Sequence, residues 1–273
     1  MMPFLHLFIL CLIQGLTEFL PVSSSGHLVL FPALLGWEYQ GLEIDVAVHV
    51  GTLLAVFLYF WSDIQKMILE TLKYIFSGLR CDLYTSSVAL AFILVFATIP
   101  AIILGFILKK MAISWFENIS VIAFGSIFFG ILLYVADRFS PHKLSLSNLT
   151  YGKGFIIGCA QALALIPGTS RSGICITAGR LLGFDKISTA RFAFLLSIPS
   201  ILGAATLTTV EAYQAGLSIS ISDIGIAVAV SMIFGLAAIH FMLSYLVKHG
   251  MLLFMLYRIA LGALVLFLST KLI

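Results

Sequence analysis

Two short stretches of this chain hold the residue types that chemistry needs. In the first, Gln14 and Glu18 stand at i and i+4 and so share one helix face. Pro21 follows within a turn and stops that helix. Ser23, Ser24 and Ser25 are suited to start another, and His27 falls in its first turn. A carboxylate, a hydroxyl cluster and an imidazole thus converge on one helix break, where they can act as nucleophile, general base and general acid. In the second stretch, Pro167 and Gly168 break a helix, and Ser170, Arg171 and Ser172 lead into the next. A helix start offers unpaired N–H groups and the positive end of a dipole. Hydroxyls and a guanidinium beside it make an anion site best suited to phosphate. The structural alternative is that Ser170 only caps its helix, Arg171 reaches to an interface, and Glu18 pairs with His27 to hold the first break shut. Against it, an arginine at a helix break deep in an apolar chain is costly unless used or paired.

The two stretches are copies of one another. A single offset of 147 residues (Gln161 less Gln14) aligns Gln14 with Gln161, Ser23 with Ser170, Ser25 with Ser172, Gly26 with Gly173 and Gly36 with Gly183. The copies have diverged: Leu165 stands opposite Glu18, and Arg171 opposite Ser24. One half offers chemistry and the other holds an anion.

The elements that position these residues must lie in a membrane. Of 273 residues, 61% are hydrophobic and 10% charged, against about 25% charged in a soluble domain; mean hydropathy is +1.14. Full spans are expected near 45–61, 86–108, 119–136, 189–210, 223–247 and 251–269, with broken segments near 4–35 and 154–183. Each broken segment reads as a re-entrant helix hairpin. Three crossings separate them, so the repeats are inverted and their tips meet near the midplane. The expected fold is an all-α polytopic membrane protein of one domain, 1–273, with inverted-topology repeats over about 1–147 and 148–273. Ser62 to Leu79 carries an apolar stripe opposite Asp63, Lys66, Glu70 and Lys73, as in an amphipathic interfacial helix. The first apolar stretch carries half of the repeat and has no basic leader, so it is not expected to be a removable signal peptide.

Charge orients this map. With both termini on side A, side B receives Lys66, Lys73, Arg80, Arg138, Lys143, Lys153, Arg180, Lys186, Arg191 and Lys248, and side A receives Lys109, Lys110 and Lys271. By the positive-inside rule side B is cytoplasmic and both termini lie outside. A net charge of +3 is too small to suggest nucleic acid, and Cys11, Cys81, Cys159 and Cys175 show no metal or disulfide spacing. Asp45 and His49, at i and i+4, read as supporting partners of the site or as a pair at the outer rim. Arg258, beside Tyr257, reads as a partner for a carboxylate or phosphate or as an interface anchor. His240 reads as a satisfied core residue.

The run from Gln14 through Glu18, Pro21 and Ser23–Ser25 to His27, and the run from Pro167 through Ser170 and Arg171 to Ser172, resemble the two signature motifs of the bacterial undecaprenyl-pyrophosphate phosphatase family, also called bacitracin-resistance proteins. The segments Asp45–Thr52 and Tyr257–Arg258 are similar to family segments too, and the resemblance covers essentially the whole chain. It implies hydrolysis of undecaprenyl diphosphate to the monophosphate carrier of peptidoglycan synthesis, in the bacterial plasma (inner) membrane, with a site opening to the outer face. It also implies a divalent cation, Mg²⁺ or Ca²⁺, for which Gln14 and Glu18 are the candidate ligands. Polyprenyl diphosphate and membrane lipids are the expected partners, with a homodimer left open. Two positions depart from the pattern. Gln14 fills the first acidic slot, and Cys175 replaces the closing threonine of the second motif.

These readings combine into a mechanism. Ser23, Ser25, Ser170, Arg171, Ser172 and Gly168 are expected to hold the diphosphate. Ser24 attacks the terminal phosphorus, with His27 and Glu18 as the acid–base pair; attack by His27 or by water stays open. The competing reading is an inverted-repeat transporter or flippase of a phosphorylated lipid, with Arg171 only binding.

Overall fold

In the computed structural model, residues 3–37, 40–76, 86–111, 119–214 and 220–272 are described. Among them the chain is helical, and its only β pairing is an isolated bridge between Leu144 and Phe184. Both expected broken segments are present. Helices α1 (Phe4–Phe19) and α2 (Ser24–Leu35) flank the first break. Next come α3 (Leu42–Tyr59), α4 (Trp61–Phe76), α5 (Ser86–Lys110) and α6 (Ile119–Phe139). Helix α7 (Tyr151–Ala162), a 3₁₀ turn at Leu163–Leu165, and α8 (Arg171–Leu181) form the second broken segment. The chain ends with α9 (Lys186–Gln214), α10 (Ile221–Lys248) and α11 (Leu252–Leu272).

Five of the six expected spans are helices long and apolar enough to cross a bilayer: Leu42–Tyr59, Ser87–Leu108, Ile119–Phe139, Lys186–Val210 and Ile221–Lys248. Helix α11, with 21 residues, covers the sixth. Large apolar side chains such as Val95, Ile102, Ile103 and Phe106 on α5 are exposed, as lipid-facing surfaces require. The chain is a multi-pass membrane protein. The amphipathic helix expected over Ser62–Leu79 is α4, with Ile68, Leu72 and Ile75 exposed and Asp63 bound to Arg191 at 2.7 Å; Leu79 lies outside the described residues.

Packing places the breaks side by side. Helix α1 packs on α10 and α7 on α5, while α3 packs on α9 and α10, α6 on α11, and α8 on both α6 and α9. Helices α7 and α10 start from side-chain caps: Thr150 accepts from the Lys153 N–H at 3.3 Å and Ser220 from the Asp223 N–H at 3.4 Å. Arg180, read from sequence as a loop charge, is instead fully buried. Its Nε donates to Asp137 at 3.1 Å, Nη1 donates to the Phe184 carbonyl, and Nη2 donates to His142 Nε2 at 3.0 Å. Asp137 also accepts from the Met251 N–H at 3.1 Å. One buried ion pair thereby ties the ends of α6, α8 and α11 and the turn before α9, satisfying groups that would otherwise be costly to bury.

Helix α6 touches the second break directly. A Cβ built on Gly125 would lie 2.5 Å from the Pro167 carbonyl oxygen. Gly125→Ala is therefore expected to push α6 off the break and cost about 1–3 kcal/mol, read as a lower melting temperature of the protein in detergent.

Candidate active site

The last turns of α1 bring Gln14 and Glu18 to the first break, both buried. Leu20, before Pro21, is extended, because a following proline disfavours helical backbone. Ser23 then takes φ 73° and Ser170 takes φ 68°, the only positive φ values at non-glycine positions among the described residues. They are the pair that the 147-residue offset (Ser170 less Ser23) aligns. Gly36 and Gly183, aligned by the same offset, have φ 67° and 88°. Left-handed serines cost about 1–3 kcal/mol each and persist only where the surroundings fix them. At Ser170 the hydroxyl accepts from the Gly173 N–H at 3.2 Å. At Ser23 the carbonyl accepts from His27 Nδ1 at 2.7 Å.

Glu18 is the centre. Its Oε1 accepts from Arg171 Nη2 at 2.6 Å, across 153 positions of sequence. Its Oε2 accepts from Ser24 Oγ at 2.7 Å and from Gln14 Nε2 at 2.9 Å. Three donors on two oxygens define Glu18 as a carboxylate acceptor. Arg171 Nη1 is buried without a partner, as is the Thr169 hydroxyl. An unused guanidinium N–H next to two helix starts suits a phosphate oxygen. Helix α2 has no side-chain cap, so its first N–H groups face the break unclaimed by one.

The structure thus brings together Gln14, Glu18, Ser24 and Arg171. Other expected residues fall elsewhere. His27 is not paired with Glu18 or Ser24. Its Nδ1 faces a carbonyl, which can only accept, so that nitrogen carries the proton; Nε2 lies 2.6 Å from the Tyr257 hydroxyl. Both ring nitrogens are taken, and the two rings are nearly coplanar at 8°. The imidazole beside Glu18 is His49, with Nε2 3.9 Å from Oε2 and Nδ1 donating to the Asp45 carbonyl at 2.6 Å. The Asp45 carboxylate accepts from Gln40 at 2.6 Å.

The residues expected to hold the diphosphate have these partners. Ser170 caps α8, and Ser172 donates to the Leu20 carbonyl at 3.2 Å, tying the two breaks together. Gly168 (φ 84°) is pressed against the Ile122 carbonyl, where no side chain fits, and its own carbonyl accepts from Arg258 at 2.7 Å. Ser25 is exposed, with its hydroxyl 3.4 Å from that of Ser23. Cys175 is buried, and the Thr177 hydroxyl is spent on the Gly173 carbonyl at 2.8 Å.

Arg258 has a role that neither sequence reading of it contained. It is fully buried. Its N–H groups reach the carbonyls of Ser126 (3.0 Å), Pro21 (3.3 Å), Gly125 (3.4 Å), Gly168 (2.7 Å) and Thr169 (2.9 Å). One guanidinium joins the first break, the second break and α6. Tyr257 and Arg258 were visible only as a dipeptide late in the chain; their targets depend on tertiary packing.

The residues at the break do not fit a resident divalent cation. Such an ion needs several oxygen ligands, with carboxylates prominent. Glu18 has both oxygens engaged by donors, one of them a guanidinium, and Gln14 turns its amide nitrogen, not its oxygen, toward Glu18. Among the described residues no three His, Cys, Asp or Glu side chains gather to hold a metal. Gln14 and Glu18 as a ligand pair are thus corrected to an amide–carboxylate hydrogen bond.

A buried carboxylate that accepts from a serine hydroxyl and an arginine, set between two helix starts inside a multi-pass membrane protein, defines a class: an intramembrane site built for phosphate chemistry. The comparisons agree with that class. The profile of the family described as "Bacitracin resistance protein BacA" matches residues 7–264, and the chain belongs to that family. It is 45% identical over 269 residues to the undecaprenyl-diphosphatase of Alteromonas mediterranea, covering 97% of this chain and 98% of that one. It is 43% identical over 268 residues to undecaprenyl-diphosphatase 2 of Stutzerimonas stutzeri, with coverage of 97% and 98%.

Replacing Arg258 by Met removes every N–H that holds the carbonyls of both breaks. The loss is expected to be on the order of 3 kcal/mol or more, since each buried acceptor left unpaired costs about 1–3 kcal/mol. Thermal unfolding in detergent reads it, and Arg258→Lys is expected to recover only part.

Proposed function

We propose that the protein hydrolyses undecaprenyl diphosphate to undecaprenyl phosphate and inorganic phosphate. The reaction recycles the lipid carrier of cell-wall synthesis and gives bacitracin resistance. The observation that carries the mechanism is the 2.7 Å hydrogen bond from Ser24 Oγ to Glu18 Oε2, with Arg171 on the other carboxylate oxygen. That is a nucleophile in contact with its base, beside a guanidinium that still has a free buried N–H.

The terminal phosphoryl group docks against Arg171 and the first N–H groups of α2, which spread the charge that develops on its oxygens. Ser24 Oγ forms a bond to the terminal phosphorus while its proton passes to Glu18. The bond from that phosphorus to the bridging oxygen breaks, and undecaprenyl phosphate leaves with the bridging oxygen. Glu18 passes the proton it took to the departing phosphate; water then attacks the phosphoserine, its proton going to the restored Glu18 carboxylate and on to Ser24 Oγ as the phosphorus–oxygen bond breaks, and phosphate is released. Once protonated, Glu18 no longer holds Arg171 by charge, so the guanidinium is freed toward the phosphoryl oxygens at the moment they need it. His27 does not transfer protons in this scheme. It fixes the Ser23 carbonyl, and with it the left-handed turn that aims Ser24.

The finer architecture belongs to the same reading. The broken segments are re-entrant hairpins of two inverted repeats, about 1–147 and 148–273, with tips meeting near the midplane. The recurrence of positive φ at Ser23 and Ser170, and at Gly36 and Gly183, supports this. So does the matched packing of α1 on α10 and α7 on α5. The protein lies in the bacterial plasma membrane with both termini and the site facing outward. The basic residues of side B still outnumber those of side A once buried Arg180 is set aside.

Phosphate release from undecaprenyl diphosphate by the purified protein tests the reaction. Ser24→Ala, Glu18→Gln and Arg171→Ala are each expected to lower kcat/KM by roughly 10²–10⁴-fold. His27→Gln is expected to fall less. Wild-type protein that releases no phosphate, while Arg171→Ala abolishes lipid flux in vesicles, would establish the transporter instead.

A further inference from the structure

The first break offers a divalent cation one carboxylate, and that carboxylate is already matched. Arg171 Nη2 lies 2.6 Å from Glu18 Oε1, so a positive charge stands where a cation would approach. The position that could supply a second carboxylate holds Gln14, a neutral amide that is fully buried. Its Nε2 donates to Glu18 at 2.9 Å, which turns its Oε1 away, and that oxygen is buried without a partner. The Asp45 carboxylate, four residues before His49, accepts from Gln40 at 2.6 Å. A lone amide oxygen is a weak ligand for a hard cation, which is held by carboxylates together with phosphate oxygens and water. A diphosphate supplies what is lacking: several charged oxygens within reach of one ion, and a negative charge large enough to satisfy Arg171 as well.

We infer that the first break has no divalent-cation site until the lipid diphosphate is bound, and that the cation enters as a complex with the diphosphate. The inference rests on the phosphatase reading. The cation accordingly belongs to the substrate, and Arg171 takes the charge-balancing place at Glu18 that a resident metal would fill.

Mn²⁺ binding, read by electron paramagnetic resonance on the purified protein in detergent, tests this. The ligand is a non-hydrolysable methylene-bridged prenyl bisphosphonate, and protein-free micelles carrying it set the background. No saturable Mn²⁺ binding is expected without the bisphosphonate, and one ion per chain above background with it. Stoichiometric binding by the protein alone overturns the inference, and so does an absence of binding above background when the bisphosphonate is bound. Gln14→Glu supplies an independent arm. Two carboxylates at hydrogen-bond distance cannot both stay charged without a proton or a cation between them. The variant is expected to gain saturable Mn²⁺ binding in the absence of bisphosphonate; no gain overturns the claim that the missing carboxylate at position 14 keeps the cation out. Phosphate release is scored separately. A wild-type protein inactive on undecaprenyl diphosphate with every divalent cation defeats the phosphatase reading, whatever the Mn²⁺ result.

Discussion

A helix interrupted inside a bilayer strands backbone carbonyls where no water can reach them. This protein interrupts two apolar helical segments, and one side chain joins the carbonyls of both breaks. Arg258 donates to Pro21 on the first break, to Gly168 and Thr169 on the second, and to Gly125 and Ser126 on α6. A guanidinium suits this task because it carries five N–H donors in a fixed plane and accepts nothing. Its charge is shared among carbonyl dipoles, and no carboxylate appears among its hydrogen-bond partners. With the two breaks fixed to each other, Arg171 can reach Glu18 and Ser172 can reach the Leu20 carbonyl. The reactive contacts are consequences of that anchorage.

Within it, the two breaks contribute different groups. The first contributes Ser24 and its acceptor Glu18. The second contributes Arg171, whose two outer nitrogens divide between Glu18 and an open position. In the proposed mechanism Glu18 couples the nucleophile to the phosphate binder through a single carboxylate, and protonating it during attack loosens Arg171, so proton transfer and charge stabilisation are linked by one group. The strained serines serve the same geometry. Each sits at the residue before a helix start and turns the chain so that the following side chain, Ser24 or Arg171, meets Glu18.

Much of this was legible because it is local. Helix breaks follow from Pro21 and from Pro167-Gly168, five spans follow from apolar length, and the meeting of Glu18, Ser24 and Arg171 follows from pairing the two motifs. What sequence misjudged depends on distant partners or on residue types with two uses. His27 was assigned to Glu18 because it lies nearby in sequence. Its actual partner on Nε2 is Tyr257, 230 positions away. Ser170 and Ser172 suit a phosphate or a backbone group equally, and here both serve backbone groups. Arg180 reads as a loop charge until Asp137, 43 positions away, is found against it. No composition window would have revealed that the buried face of α11 is organised around Arg258.

The assignment of Ser24 as the nucleophile is tested most directly by trapping the covalent species. Undecaprenyl diphosphate labelled in its terminal phosphate is mixed with the enzyme, quenched during the first turnover, and the labelled peptide mapped. An acid-stable phosphoserine at Ser24, absent from Ser24→Ala, is the predicted result. An acid-labile label on His27, or a full first turnover that leaves no label on the protein, would contradict it.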